Sequence, residues 1–297
     1  MEAIKRIHHI SAIVGDPNEN LKFYRDVLGL RLIKQTVNFD DPGVYHLYFS
    51  THELKPGTVI TFFPWTNENK GRKGSGQVGR IAFRVPKGSI SYWKERLTVQ
   101  SILVKTTQLF GENTLEFDDN HGLELAIVEA ENSSTNHDIL GFHGAVLLSS
   151  NPQSTKTLLT GLMGLKELEN GNQDDHFETV GEEKHHIIVN VPTQPAGRFG
   201  IGTVHHIAWS VPDLTALKEW QDALQKSGNG VTEIKDRNYF NSVYTVEKGK
   251  VIFEFATDGP GFEIDEDNQS LGTSLKLPEQ YEHNRSMYEK LLPRLDV

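Results

Sequence analysis

Apolar and polar positions along the chain fall into a pattern that recurs. HHISAIVGD (8–16) alternates apolar with small or polar residues and ends in aspartate, and HHIAWSVPD (205–213) does the same far down the chain. Each precedes a stretch with apolar residues at three- and four-residue spacing, closed by glycine: NENLKFYRDVLGL (18–30) and LTALKEWQDALQKSG (214–228). That spacing predicts amphipathic helices. Runs rich in β-branched and aromatic residues follow and predict three strands each, LRLIKQTV, VYHLYFS and TVITFFPW in the first copy and VTEIKD, NSVYTVE and KVIFEFATD in the last. The repeating unit reads βαβββ.

Two fainter copies lie between. GRIAFRVPKGSISYWKERL (79–97) carries Arg80 where a histidine stood, and GFHGAVLLSSNPQSTKTLLTGLMGL (141–165) carries His143. Four modules therefore tile the chain, an internal symmetry that decides the fold class: α+β, with the modules in two pairs. The polar stretch EAENSSTNHD (129–138) predicts a linker dividing residues 1–130 from 138–297, each half holding two modules. The tail LPEQYEHNRSMYEKLL predicts one amphipathic helix packed on the body.

Composition narrows the chemistry. The 297 residues include no cysteine, which excludes disulfides and thiolate ligands, so a metal must be held by histidine, carboxylate or water. A formal net charge of −10 argues against nucleic acid as a partner. No apolar run is long enough for a membrane span and the first residues do not resemble a signal peptide, so a cytoplasmic location is expected.

A given histidine among the 13 is ordinarily a surface or core residue. His9 and His206 differ because they occupy one register of a repeated strand. Neighbours on a strand point to opposite faces, so these two can share a cleft while His8 and His205 start out turned away. Glu254 sits between Phe253 and Phe255 in an apolar run, a costly place for a charge unless it is coordinated or faces solvent, and strand alternation permits the latter. The first copy is expected to place Phe62 where Glu254 stands, so one module alone keeps the acid. Two histidines and a carboxylate make the facial triad of a non-haem Fe(II) oxygenase, with positions open for substrate and O₂.

The repeated modules resemble the vicinal oxygen chelate superfamily of glyoxalases, bleomycin-resistance proteins and extradiol ring-cleaving dioxygenases, and four modules in one chain resemble the dioxygenase branch. The resemblance implies the glyoxalase/bleomycin-resistance/dioxygenase fold, in which paired modules curl into half-open barrels around a divalent metal. The phrases TVNFDDPGVYHLYF, GTVITFFPW, HHIAWSVPD, DRNYFNSVY, IFEFATDGPGF and LPEQYEHNR, taken together, are similar to the hydroquinone-cleaving subgroup. That likeness maps metal ligands onto His9, His206 and Glu254, and supporting polar residues onto His8, Ser11, His205, Arg237 and Tyr244. It implies Fe(II), with Mn(II) compatible with the same ligands, and a small aromatic substrate that is opened with O₂ as in quinone detoxification.

Ser11, two residues from His9, faces its side. Tyr244, ten residues before Glu254, could fold back over the metal to hydrogen-bond or pass a proton, and Arg237 could stabilise negative charge. Packing and a solvated turn are the competing readings for these last two. Phe62, Phe63 and Trp65 are expected to wall an aromatic ring. The commoner extradiol pattern would take its first ligand from His143, and His185 and His186 read as surface or packing residues. A catechol-cleaving enzyme, a metal-free binding protein and a metal-dependent transferase are the alternative functions. The oligomeric state, a homo-oligomer included, is left open.

Overall fold

A computed structural model describes residues 1–130, 136–169 and 174–297. The core of the linker expected at 129–138 lies outside these residues. The first module comprises β1 (Ile7–Val14), α1 (Pro17–Lys22), β2 (Arg31–Asn38), β3 (Asp41–Ser50) and β4 (Val59–Pro64). The second comprises β5 (Gln77–Pro86), α2 (Ile90–Val99), β6 (Lys105–Leu109), β7 (Glu112–Asp118) and β8 (Glu124–Ala130). The third holds β9 (Gly141–Leu148), α3 (Pro152–Thr157), β10 (Lys166–Leu168), β11 (Asp175–Glu178) and β12 (His186–Val189). The fourth holds β13 (Thr203–Val211), α4 (Leu214–Lys226), β14 (Lys235–Asp236), β15 (Phe240–Val246) and β16 (Ile252–Pro260).

The aspartate that ends each repeated phrase has a mechanical role. Asp16 Oδ1 accepts from the backbone N–H groups of Asn18 and Glu19, and Asp213 Oδ1 from that of Ala216, which satisfies donors at the start of α1 and α4. In the third module the same service comes one residue later, from Asn151 to Ser154 N–H. The helical turns of the first and third modules widen at their ends, where Leu28 N–H bonds Phe23 C=O and Met163 N–H bonds Leu158 C=O.

The sheets do not follow chain order. One eight-stranded sheet runs β14-β15-β16-β13-β1-β4-β3-β2 and the other β10-β11-β12-β9-β5-β8-β7-β6. The first module thus pairs with the fourth through antiparallel β1 and β13, and the second with the third through β5 and β9. The division at 130/138 describes succession along the chain; each sheet draws one module from either side of it. One large apolar core runs through both sheets, with smaller clusters beside it. No helix is long and apolar enough to cross a membrane among the described residues.

The tail departs from the single helix expected of it. It forms α5 (Glu279–Glu282) and α6 (Arg285–Leu291), broken at Asn284, whose backbone (φ −109°, ψ 18°) is not helical. Both sides of the break are tied to the body, by Tyr281 Oη donating to Phe39 C=O and Tyr45 Oη donating to Pro293 C=O. Before the tail, the segment after β16 is fastened by a buried charge. Lys34 of β2 is fully buried, with Nζ 2.6 Å from Asp265 and 2.5 Å from Glu266, and Tyr239 Oη donates to the other oxygen of Asp265. Asp265 reaches solvent, but Glu266 is buried, and removing the cation while leaving that carboxylate enclosed is costly. Lys34→Met is expected to lower the free energy of unfolding by about 3–5 kcal/mol, read from urea denaturation against wild type.

Candidate metal centre

His9 on β1, His206 on β13 and Glu254 on β16 converge from three neighbouring strands, all buried. His9 Nε2 lies 3.1 Å and His206 Nε2 2.9 Å from Glu254 Oε2, and the two Nε2 atoms are 3.2 Å apart. Glu254 is therefore inside and not on the solvent face that alternation alone allowed. Donors about 2.1 Å from one cation and at right angles around it stand about 3.0 Å apart, so the triangle has the edges of an octahedral face.

The hydrogen bonds around the triangle fix where its protons sit. His8 Nε2 faces the Thr257 carbonyl at 3.1 Å, and a carbonyl only accepts, so His8 carries its proton there. Burial, reinforced by His9, pushes His8 down to about 3, so the ring is neutral and its Nδ1 is an acceptor. His9 Nδ1, 2.8 Å away, must then donate. A neutral His9 is left with a bare lone pair at Nε2, aimed at the other members. His205 likewise meets His206, with the two Nδ1 atoms 2.7 Å apart, although no carbonyl holds its Nε2 among the described residues; burial and His206 push it down to about 3. Burial opposes the charge of Glu254, and its pKa lies well below the usual carboxylate range only through positive charge at His9 and His206, a charge that a cation supplies when both rings are neutral. Lone pairs and a carboxylate packed this closely repel one another unless a cation lies between them, so the donor set fits a divalent metal, with the outer imidazoles orienting the inner ones.

His8 and His205 are not turned away, as simple alternation would have it. In the β1–β13 pairing the register slips once between Ile7 and His9, leaving His8 without a partner, and once between Ser11 and Ala12, leaving His205 without one. Each is the extra residue of a bulge, and bulges re-aim side chains. The other mapped residues gather at the same place. Tyr244 is the cross-strand partner of Glu254, with its ring 5.5 Å from that of His206, and the Arg237 guanidinium lies 5.4 Å from the centre of the Tyr244 ring. Burial and then Glu254 raise the Tyr244 phenol above its usual value, so it remains protonated. Burial works against the Arg237 cation, but Tyr244 and Asp40 more than compensate; Nη2 donates to Asp40 at 2.8 Å. Ser11 is fully buried and its hydroxyl meets that of Thr61 at 2.6 Å.

A cavity of about 480 Å³ opens over the triangle, lined by His9, His205 and His206 together with Phe63, Trp65 and Phe240 among its aromatic groups. Phe63 and Trp65 thus serve as expected, but Phe62 does not: it is fully buried against Tyr24 and Phe49, because it points to the core side of β4. Nor does Phe62 match Glu254. Ala208, two residues after His206, pairs with Glu254, whereas Ser11, two after His9, pairs with Thr61. Thr61 is the counterpart, one position earlier.

Sequence reasoning missed His46 and Tyr48 on the cavity wall. A signal was available, since in VYHLYFS the apolar Tyr45, Leu47 and Phe49 alternate with His46 and Tyr48, which share the opposite face. His143 lies in the other sheet, stacked 4.8 Å from His186 under Phe110, away from the triangle. His185 is a buried packing residue whose Nδ1 accepts from Ile7 N–H.

Four βαβββ modules whose outer pair presents two imidazoles and a carboxylate beneath an aromatic cavity define a protein of the paired-module class with a metal-type site. The profile of the glyoxalase/bleomycin resistance protein/dioxygenase superfamily matches residues 6–127 and 141–265, and the chain belongs to that superfamily. It is 46% identical over 298 residues to a Bacillus subtilis protein named as a ring-cleaving dioxygenase, MhqO, covering 97% of this chain and 96% of the relative. It is 29% identical over 306 residues to the chlorohydroquinone/hydroquinone 1,2-dioxygenase of Sphingobium indicum, covering 95% and 94%. A crystal structure of a Bacillus subtilis protein named as a dioxygenase superposes with a TM-score of 0.96 at 44% identity, covering 100% of this chain and 99% of that one. The superfamily's dioxygenases carry a metal cofactor.

Alanine at His9, His206 or Glu254 is expected to abolish stoichiometric binding of a divalent metal, measured by elemental analysis after anaerobic loading, while His143→Ala retains it. His143 has a separate pH signature. Burial first, then His186, pushes it down to about 2, and its Nε2 lacks a partner among the described residues. The unfolded chain takes up this proton below about 6.5 and the folded chain does not, so the stability is present above that pH and is lost as pH falls towards the folded value. His143→Leu is expected to shift acid unfolding to lower pH, followed by circular dichroism.

Proposed function

We propose that this chain is an Fe(II)-dependent dioxygenase that opens the ring of hydroquinone-type aromatics with O₂. The observation that carries the reading is the triangle of His9, His206 and Glu254 on the floor of an aromatic-lined cavity. The relatives named as ring-cleaving and hydroquinone dioxygenases, matched along nearly their whole length, supply the substrate class. His9, His206 and Glu254 would hold the metal, which supplies Lewis acidity towards a ring oxygen and a site for O₂; Mn(II) suits the same donors.

The chain's own residues do the rest. Phe63, Trp65 and Phe240 enclose the ring and exclude water. With the metal on His206 Nε2, the proton of His206 sits on Nδ1 and is donated to His205, whose own proton is then at Nε2. That atom has no partner among the described residues, so His205 presents an N–H donor on the cavity wall. Tyr244 presents a protonated phenol beside Glu254. Arg237 holds a positive charge at the same wall, stabilising negative charge on a substrate oxygen. Ser11 acts from beneath, through Thr61.

Protein loaded anaerobically with Fe(II) is expected to consume O₂ with hydroquinone and methylhydroquinone and much less with catechol. Loaded protein that consumes none with any of the three would overturn the reading. Tyr244→Phe is expected to keep its metal and to lose roughly 10²- to 10⁴-fold in turnover; unchanged turnover across pH 6 to 9 would assign Tyr244 to packing.

A further inference from the structure

The outer pair of modules is internally symmetric at the centre, and the symmetry exposes a second polar device. His9 answers to His206, and Thr61 to Glu254. Tyr244 is the cross-strand partner of Glu254 on β15, and Tyr48 is the cross-strand partner of Thr61 on β3. Each half therefore brings a phenol to the cavity, one beside a carboxylate and one beside a hydroxyl.

The first-module phenol is wired. Tyr48 Oη meets His46 Nδ1 at 2.8 Å, His46 Nε2 meets Thr61 Oγ1 at 2.8 Å, and Thr61 Oγ1 meets Ser11 Oγ at 2.6 Å. All four residues are buried, and the His46 ring is sandwiched between Tyr48 and Phe63 with centroids 4.1 and 4.3 Å away. A neutral imidazole has one donor and one acceptor, so the chain has two polarities. In one, Tyr48 donates to His46 and its oxygen lone pairs are open. In the other, His46 donates to Tyr48 and the phenol O–H is open. Tyr48 Oη has this single hydrogen bond among the described residues, although a phenol can make three. Arg237 sits over Tyr244, in the half that carries Glu254, and with Lys235 it bonds the exposed Asp40 at the mouth.

We propose that Tyr48 binds the second hydroxyl of the substrate ring, with His46 as the positioning residue that holds it, and that this pair selects rings bearing two oxygens. The inference rests on the reading of the centre as hydroquinone-cleaving. One ring oxygen goes to the triangle and the other to Tyr48. Because the wire reverses, Tyr48 accepts from a hydroxyl or donates to an ionised oxygen without leaving a buried group unpaired. A site built this way rejects an analogue that lacks the hydroxyl, since the phenol would then be enclosed without a partner.

The probes are hydroquinone and 4-methylphenol, which differ by a methyl in place of a hydroxyl. In anaerobic calorimetric titrations of Fe(II)-loaded protein, wild type is expected to bind hydroquinone about tenfold or more tightly than 4-methylphenol. In Tyr48→Phe the ratio falls to about one with 4-methylphenol affinity retained, and in His46→Leu it falls without a further drop in the double variant. A packing role would instead weaken both ligands alike. Equal binding by wild type, or a ratio preserved in a Tyr48→Phe protein with full metal content, overturns the inference. If Tyr48→Phe loses its metal, the same ratio in His46→Gln decides. O₂ consumption is scored separately: wild type that discriminates the ligands but consumes no O₂ refutes the catalytic reading and leaves the Tyr48 site standing.

Discussion

The antiparallel pairing of β1 with β13 is the constraint on which the rest of the centre depends. It sets His9 beside His206, and its two slips of register bring His8 and His205 to the same side. An unbroken ladder would keep the inner imidazoles and lose the outer ones, leaving each Nδ1 proton without an acceptor. The bulges therefore couple backbone irregularity to proton placement. The tautomer of His9 is dictated by His8, whose own proton is held by the Thr257 carbonyl, and the His9 lone pair meets Glu254 as a result.

Around that seam the two outer modules have diverged while keeping their register. Glu254 and Thr61 occupy equivalent places, as do Tyr244 and Tyr48, yet one half offers charge and the other a neutral hydrogen-bond chain. A second carboxylate at Thr61 would add like charge to an enclosed space and leave fewer positions open. With a hydroxyl there, one side of the cavity stays uncharged, in keeping with an aromatic guest. The inner pair of modules keeps the sheet and not the site: Arg80 replaces the first histidine, and His143 packs under Phe110.

Much of this was legible in the sequence because symmetry is visible there. The recurrence of histidine seven residues before a capping aspartate located β1 and β13, and the lone acid in an apolar strand located Glu254. What could not be read depended on events between strands. The bulges at His8 and His205 break the alternation from which side-chain direction is inferred. The same rule, applied one residue out of register, placed Phe62 at the site in place of Thr61. The order of modules in space was half legible: the shared register of His9 and His206 joined the first module to the fourth at the site, whereas adjacency along the chain divided the modules into first with second, and the sheets pair first with fourth. His46 and Tyr48 were present as a polar face in an alternating run, but that face acquires meaning only when β3 lies beside β4.

Pairing the outermost modules also governs when the centre can exist. His9 and His206 are separated by 197 positions, so a chain emerging from the ribosome carries its first imidazole long before the second. The inner sheet, with shorter separations between its partners, can close earlier, and the outer seam is left to join across it. Metal capture is then a late event in biogenesis. A chain arrested or cleaved before β16 carries no carboxylate for the centre, so an intact triangle certifies that synthesis has passed the fourth module.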